Sequence, residues 1–185
     1  MDKSVLISIR PEWCELIASG EKTIEVRKTR PKLETPFKCC IYCTVETAGY
    51  DALWVLDAPT REKYSFMAVS AYLENPKGAN KGNGKVIGEF TCERIVPITY
   101  DGGRLWCPTN AAFSPATCLS QAEIIAYIGD KGRCYGWHIS NLRIYDTPRD
   151  LGEFIGLRTM KNGFELRELD RPPQSWCYVL EDYHA

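Results

Sequence analysis

The strongest constraint on this chain is its rhythm: short β-prone runs recur from one end to the other, broken by Gly, Pro and Asn clusters. Residues 4–9, 23–28, 37–45, 85–98, 134–145 and 175–180 read as strands. Helical signals are fewer. Pro11 suits a first helical turn, where its missing N–H has no partner to lose. Trp13, Leu16 and Ile17 then share a face until Gly20 supplies a left-handed stop. Ser120 and Glu123 form a capping box, with Leu119 placed to staple onto Ile124, and that helix should end near Gly129. A helix is also expected around 61–73, and a short helical turn from Thr147-Pro148 through Phe154. Lys161-Asn162-Gly163 signals a hairpin. Many strands with two or three flanking helices make an α+β or β-barrel architecture.

A chain of 185 residues can bury one substantial core. It reads as a single domain, 1–185, with a less regular elaboration at about 47–83. The formal net charge of −1 excludes a uniformly basic surface for gripping duplex phosphates. Between residues 22 and 38, however, the cations Lys22, Arg27, Lys28, Arg30, Lys32 and Lys38 face only Glu25 and Glu34, a local basic excess. No run is apolar enough to span a bilayer, and the first ten residues are too short a hydrophobic stretch for a signal peptide. No membrane partner is expected, and the location read from these features is cytoplasmic. Nine cysteines, an odd number without a small-scaffold pattern, suit reduced thiols rather than a disulfide framework.

Several motifs invite chemistry and fail on spacing. Cys40 and Cys43 form a C-x-x-C, but residues three apart on a strand point to opposite faces and cannot share a metal. Cys134 and His138 do not supply a convincing remainder, so no metal and no cofactor is expected. Gly82-Asn83-Gly84-Lys85 lacks the first glycine and the Ser or Thr of a phosphate loop, and a strand follows it. His138 and His184 are the two histidines, and neither accompanies a recognisable nucleophile motif.

The informative segment is Gly20-Glu21-Lys22-Thr23-Ile24-Glu25-Val26-Arg27, following a strand and a helix. Its Gly-x-Lys-x-x-Glu-x-Arg pattern resembles the signature of ASCH domains. Gly84-Lys85-Val86-Ile87-Gly88-Glu89-Phe90, Gly136-Trp137-His138-Ile139 and Pro173-Gln174-Ser175-Trp176-Cys177-Tyr178-Val179 are similar to the prophage-type branch of that family. The resemblance implies a PUA-like β-barrel with a cleft beside the first helix, and a protein that binds RNA or nucleotides. Lys22, Glu25 and Arg27 occupy the signature positions. Nothing in 47–83 matches the family.

On the residues themselves, alternation puts Thr23, Glu25 and Arg27 on one face and Ile24 and Val26 on the other. Glu25 and Arg27 can pair with each other or offer an acceptor and a fork of donors to one ligand. Trp13, Trp137 and Trp176 are either core or stacking platforms, a stacked base being worth about 1–3 kcal/mol. Gln174 and Ser175 could read a base edge, and Arg10 could face the same cleft. The first functional reading is therefore a cleft for RNA, a nucleotide or short single-stranded nucleic acid, with Lys22 and Arg27 toward phosphate. A second is an amidohydrolase on acylated cytidine-type nucleosides, with Lys22, Glu25 and Thr23 as catalytic residues. Relatives with that activity place a threonine where Glu25 stands here, and a lysine base must be neutral, which an adjacent Glu25 opposes. A third is a protein-interaction module built on Tyr50, Trp54, Tyr64 and Phe66, with the partner protein unspecified.

Overall fold

The computed structural model describes residues 3–45, 53–56, 68–69, 79–109, 113–161 and 163–180. A nine-stranded sheet dominates. Along its hydrogen-bonded order lie β11 (Gly163–Glu168), β10 (Ile155–Met160), β12 (Trp176–Leu180), β1 (Lys3–Ile9), β3 (Phe37–Cys43), β7 (Val86–Asp101), β9 (Arg133–Arg149) and β2 (Ile24–Arg27), with β8 (Arg104–Trp106) added on β7. All pairs are antiparallel except β1 with β3. A small second sheet holds β4 (Leu53–Leu56) between β5 (Ala68–Val69) and β6 (Ala79–Lys81). The helices are α1 (Pro11–Ala18), α2 (Phe113–Thr117) and α3 (Gln121–Ile128), with one-turn 3₁₀ segments at Gly129–Lys131 and Leu151–Glu153.

The large sheet is covered on both faces, so its central strands are apolar without alternation. Val5, Ile7 and Ile9 of β1 enter the main core with Cys39, Ile41 and Cys43 of β3, while Leu6, Cys40 and Tyr42 enter a second cluster on the opposite side. Cys40 and Cys43 therefore belong to different faces, as their spacing requires. Leu53 and Val55 of β4 join the main core, and the Leu53 amide donates to Asn83 Oδ1 at 2.7 Å, which ties the elaboration to the entry of β7.

The α+β architecture expected from the strand rhythm is present, and the six runs read as strands are found as β1, β2, β3, β7, β9 and β12. The closed barrel is not found: among the described residues the path ends at β11 on one side and β2 on the other, without a ladder joining them. Side chains instead link β2 and the segment after it to β1 and β12. Arg27 Nη2 donates to the Ser8 carbonyl at 2.5 Å, Trp176 Nε1 to Thr29 Oγ1 at 3.0 Å, and the Lys32 amide to Tyr178 Oη at 2.8 Å. β2 thus curls toward β1 and β12 but meets them through side chains.

Three local expectations change. Ala68 and Val69 pair with β4 as strand rather than helix, the remainder of 61–67 and 70–73 lying outside the described residues. Thr147 and Pro148 complete β9, and the helical turn starts only at Leu151, where Asp150 and Glu153 make a capping box. α2 has no counterpart in the sequence reading. The Ser120 capping box is formed as expected, Glu123 N reaching Ser120 Oγ at 3.2 Å and Ser120 N reaching Glu123 Oε2 at 2.8 Å. His184, Tyr50, Tyr64 and Phe66 lie outside the described residues.

Candidate functional site

α1 is two turns long because Pro11 starts it and Gly20, at φ +81°, lets the chain reverse after it. The Lys22 amide then donates to the Leu16 carbonyl at 2.8 Å, folding the chain back so that the Lys22 side chain points inward. It is 2% exposed. Its ammonium donates to the Thr117 carbonyl at 2.5 Å, stands 3.5 Å from Glu25 Oε2 and lies 5.0 Å above the Trp13 ring. Glu25 bridges onward, its Oε1 lying 3.0 Å from Arg27 Nε. That approach satisfies an ion pair but not hydrogen-bond alignment, and Arg27 Nε is buried without an aligned acceptor. The Arg27 fork ends on the Ser8 carbonyl.

A lysine, a carboxylate and an arginine are thus buried in one chain of contacts, with one more positive than negative charge. Burial of this kind is costly unless every member is paired. The Glu25–Arg27 pair open to the sequence does form, and it is buried, as is all of β2.

The chain of charges walls a cavity of about 790 Å³, within the range of small-ligand sites. Arg10, Trp13, Lys22, Glu25, Arg27 and Gln174 line it together, from the start of α1, α1 itself, the turn before β2, β2 and the approach to β12. Arg10 and Gln174 are exposed at its rim. Ser8 fixes the opposite wall: its Oγ donates to the Pro173 carbonyl at 2.7 Å and its amide to the Ser175 carbonyl at 2.9 Å.

The other residues named from the sequence are elsewhere. Trp137 is fully buried, edge-on to Phe37 with ring centroids 6.0 Å apart, so it packs the core and has no face for a ligand. Trp176 leans on Trp137 and Tyr178 and gives its N–H to Thr29, while Ser175 contributes its carbonyl to Ser8; neither lines the cavity. Thr23 is exposed and outside it, its amide bound to the Ala116 carbonyl. The same-face placement of Thr23 with Glu25 fails because β2 begins only at Ile24.

Sequence reading missed Tyr127, Glu123 and Leu119, which close the cavity from the α3 side. Their mutual spacing of four was the available signal. Burial raises the Tyr127 phenol above its usual range, with Arg27 lowering it less, and Lys28 lies 5.1 Å over its ring. Glu123 is held below the ordinary carboxylate range by its hydrogen bonds to Ser120, and so is occupied with the helix cap.

A family model described as ASCH domain matches residues 7–40, the stretch from β1 through α1 and β2 into β3 that supplies the buried charges. Over that stretch the chain is similar to ASCH domains. Among solved structures, the chain is similar to a crystal structure of ASCH from Zymomonas mobilis, at 18% identity and a TM-score of 0.49, covering 96% of this chain and 88% of that one. A mutant of the Zymomonas mobilis protein gives 18% identity, a TM-score of 0.49, and 97% and 92% coverage. No curated protein sequence matches the chain.

Proposed function

We propose that the cavity binds RNA, a nucleotide or a short single-stranded nucleic acid. The observation that carries this reading is the buried Lys22–Glu25–Arg27 chain at the wall of a cavity that also presents Trp13 and Tyr127. An excess positive charge at low polarity favours an anion, and two aromatic side chains favour a flat ring. Roles differ from those the sequence suggested. Lys22 spends its donors on Thr117, Glu25 and the Trp13 face, so it holds Glu25 in place rather than reaching for phosphate. The Arg27 guanidinium, which lines the cavity, and Arg10 at the rim are the donors a ligand oxygen would meet, Arg27 Nε itself being buried against Glu25. The ring face of Trp13 not covered by Lys22 is the stacking surface.

Binding is favoured over hydrolysis because Thr23 lies outside the cavity, and the Glu25 carboxylate is already engaged by Lys22 and Arg27. An interaction role for the elaboration rests on less, since Leu53 and Val55 belong to the core. We read the curled sheet as a PUA-like barrel left open at its seam, and the chain as one domain. Among the described residues no helix is long and apolar enough to cross a membrane.

Tryptophan fluorescence titrated with nucleoside monophosphates and short oligonucleotides tests the reading. A saturable change should appear and weaken about 5- to 150-fold in Trp13→Ala, the factor equivalent to about 1–3 kcal/mol of stacking. Absence of any response across both panels would remove nucleic-acid binding from consideration.

A further inference from the structure

Pro172, Pro173 and Gln174 line the cavity on one side and a second hollow, of about 440 Å³, on the other. Arg167 and Arg171 wall that second hollow, and no carboxylate lines it. Glu168 and Asp170 are neighbours in sequence but stand outside it. Neither arginine has an ion-pair partner among the described residues. Most other charges near the ligand site are committed; these two are not.

The hollow is also built on fixed backbone. Arg167 sits in the β10–β11 ladder opposite Gly156, and buried Leu169 anchors the chain between the two arginines. The ridge itself is held by two prolines with restricted φ and by the Ser8 bonds to Pro173 and Ser175. A rigid ridge separates an aromatic-lined cavity from a hollow with two unpaired guanidinium groups, and guanidinium is the side chain best shaped for phosphate.

We propose that this second hollow is a phosphate subsite, so that a single strand longer than one nucleotide crosses the Pro172–Gln174 ridge with a base in the cavity and a following phosphate on Arg167 and Arg171. The proposal rests on the nucleic-acid reading of the cavity. It adds a site and a length preference. With a net charge of −1, the chain attracts a strand only through such local contacts.

The test compares a nucleoside monophosphate with a five-residue oligouridylate on the wild type and on the double variant Arg167→Ala/Arg171→Ala. Both positions are exposed, so the fold is retained, which circular dichroism checks. The oligouridylate should bind at least about tenfold more weakly to the variant. The slope of log K against log salt should become shallower by about 1.4, as expected for two lost phosphate contacts on a single strand. Monophosphate binding should stay within about twofold. Unchanged oligouridylate affinity and slope would overturn the subsite while leaving the cavity reading intact, as would equal losses for both ligands. If the wild type binds neither ligand, the cavity reading fails and the subsite with it.

Discussion

Lys22 is the residue on which the site most depends. An ammonium with three different partners, carbonyl, carboxylate and indole face, is a fixed structural charge, and its removal strands the others. Lys22→Met should therefore cost about 3 kcal/mol of unfolding free energy, the usual penalty for breaking a buried ion pair by deleting one partner. Urea denaturation measures it; a loss below about 1 kcal/mol would place this lysine among ordinary surface charges. The juxtaposition of Glu25 and Arg27 was legible in their spacing. The burial of Trp137 was not, because an indole has the same sequence signature whether it stacks on a ligand or, as here, fills the space between Phe37 and Trp176.

Among the elements, β7 and β9 carry the longest pairing, and it is irregular, with register shifts between Val86 and Gly88, Glu89 and Thr91, and Cys92 and Arg94. Gly88 lies at the first shift. A Cβ there would meet the Arg143 carbonyl oxygen at 2.5 Å and Ile144 Cα at 3.1 Å, backbone atoms that cannot swing aside. Gly88→Ala should destabilise the protein by about 2 kcal/mol or more, as backbone clashes in a core strand do. A thermal melt within a degree of wild type would show that the two strands can part freely. Beside it, Glu89 accepts from Tyr145 at 2.7 Å and lies 3.0 Å from Lys38. Burial raises its carboxyl, but these hydrogen bonds and the charges of Lys38 and Arg143 outweigh that and leave it below the ordinary range. The long strands were visible from alternation. β5 and β6, at two and three residues, are too short to leave a periodic trace, and their existence depends on β4 lying between them.

The whole molecule keeps its thiols away from solvent. All nine cysteines are free, and seven are buried. Burial pushes the Cys92 and Cys134 thiols up to about 12 and that of the half-buried Cys177 to about 11. Since the thiolate is the reactive form, iodoacetamide on the native protein at neutral pH should modify Cys118 first, and all nine should react after unfolding. Peptide mass mapping decides it, and early modification of Cys14 or Cys39 would contradict the packing of β1, α1 and β3. Class and strand content could be read from the sequence, whereas the open seam could not. Whether the ends of a sheet meet depends on curl accumulated over every strand, which no local pattern encodes. Across that seam the Arg27 guanidinium reaches the Ser8 carbonyl. On the binding reading proposed here, that latch would double as a receptor: a visitor engaging the same fork would compete with the protein's own backbone, and occupancy would be felt as a change in how tightly β2 is tethered to β1.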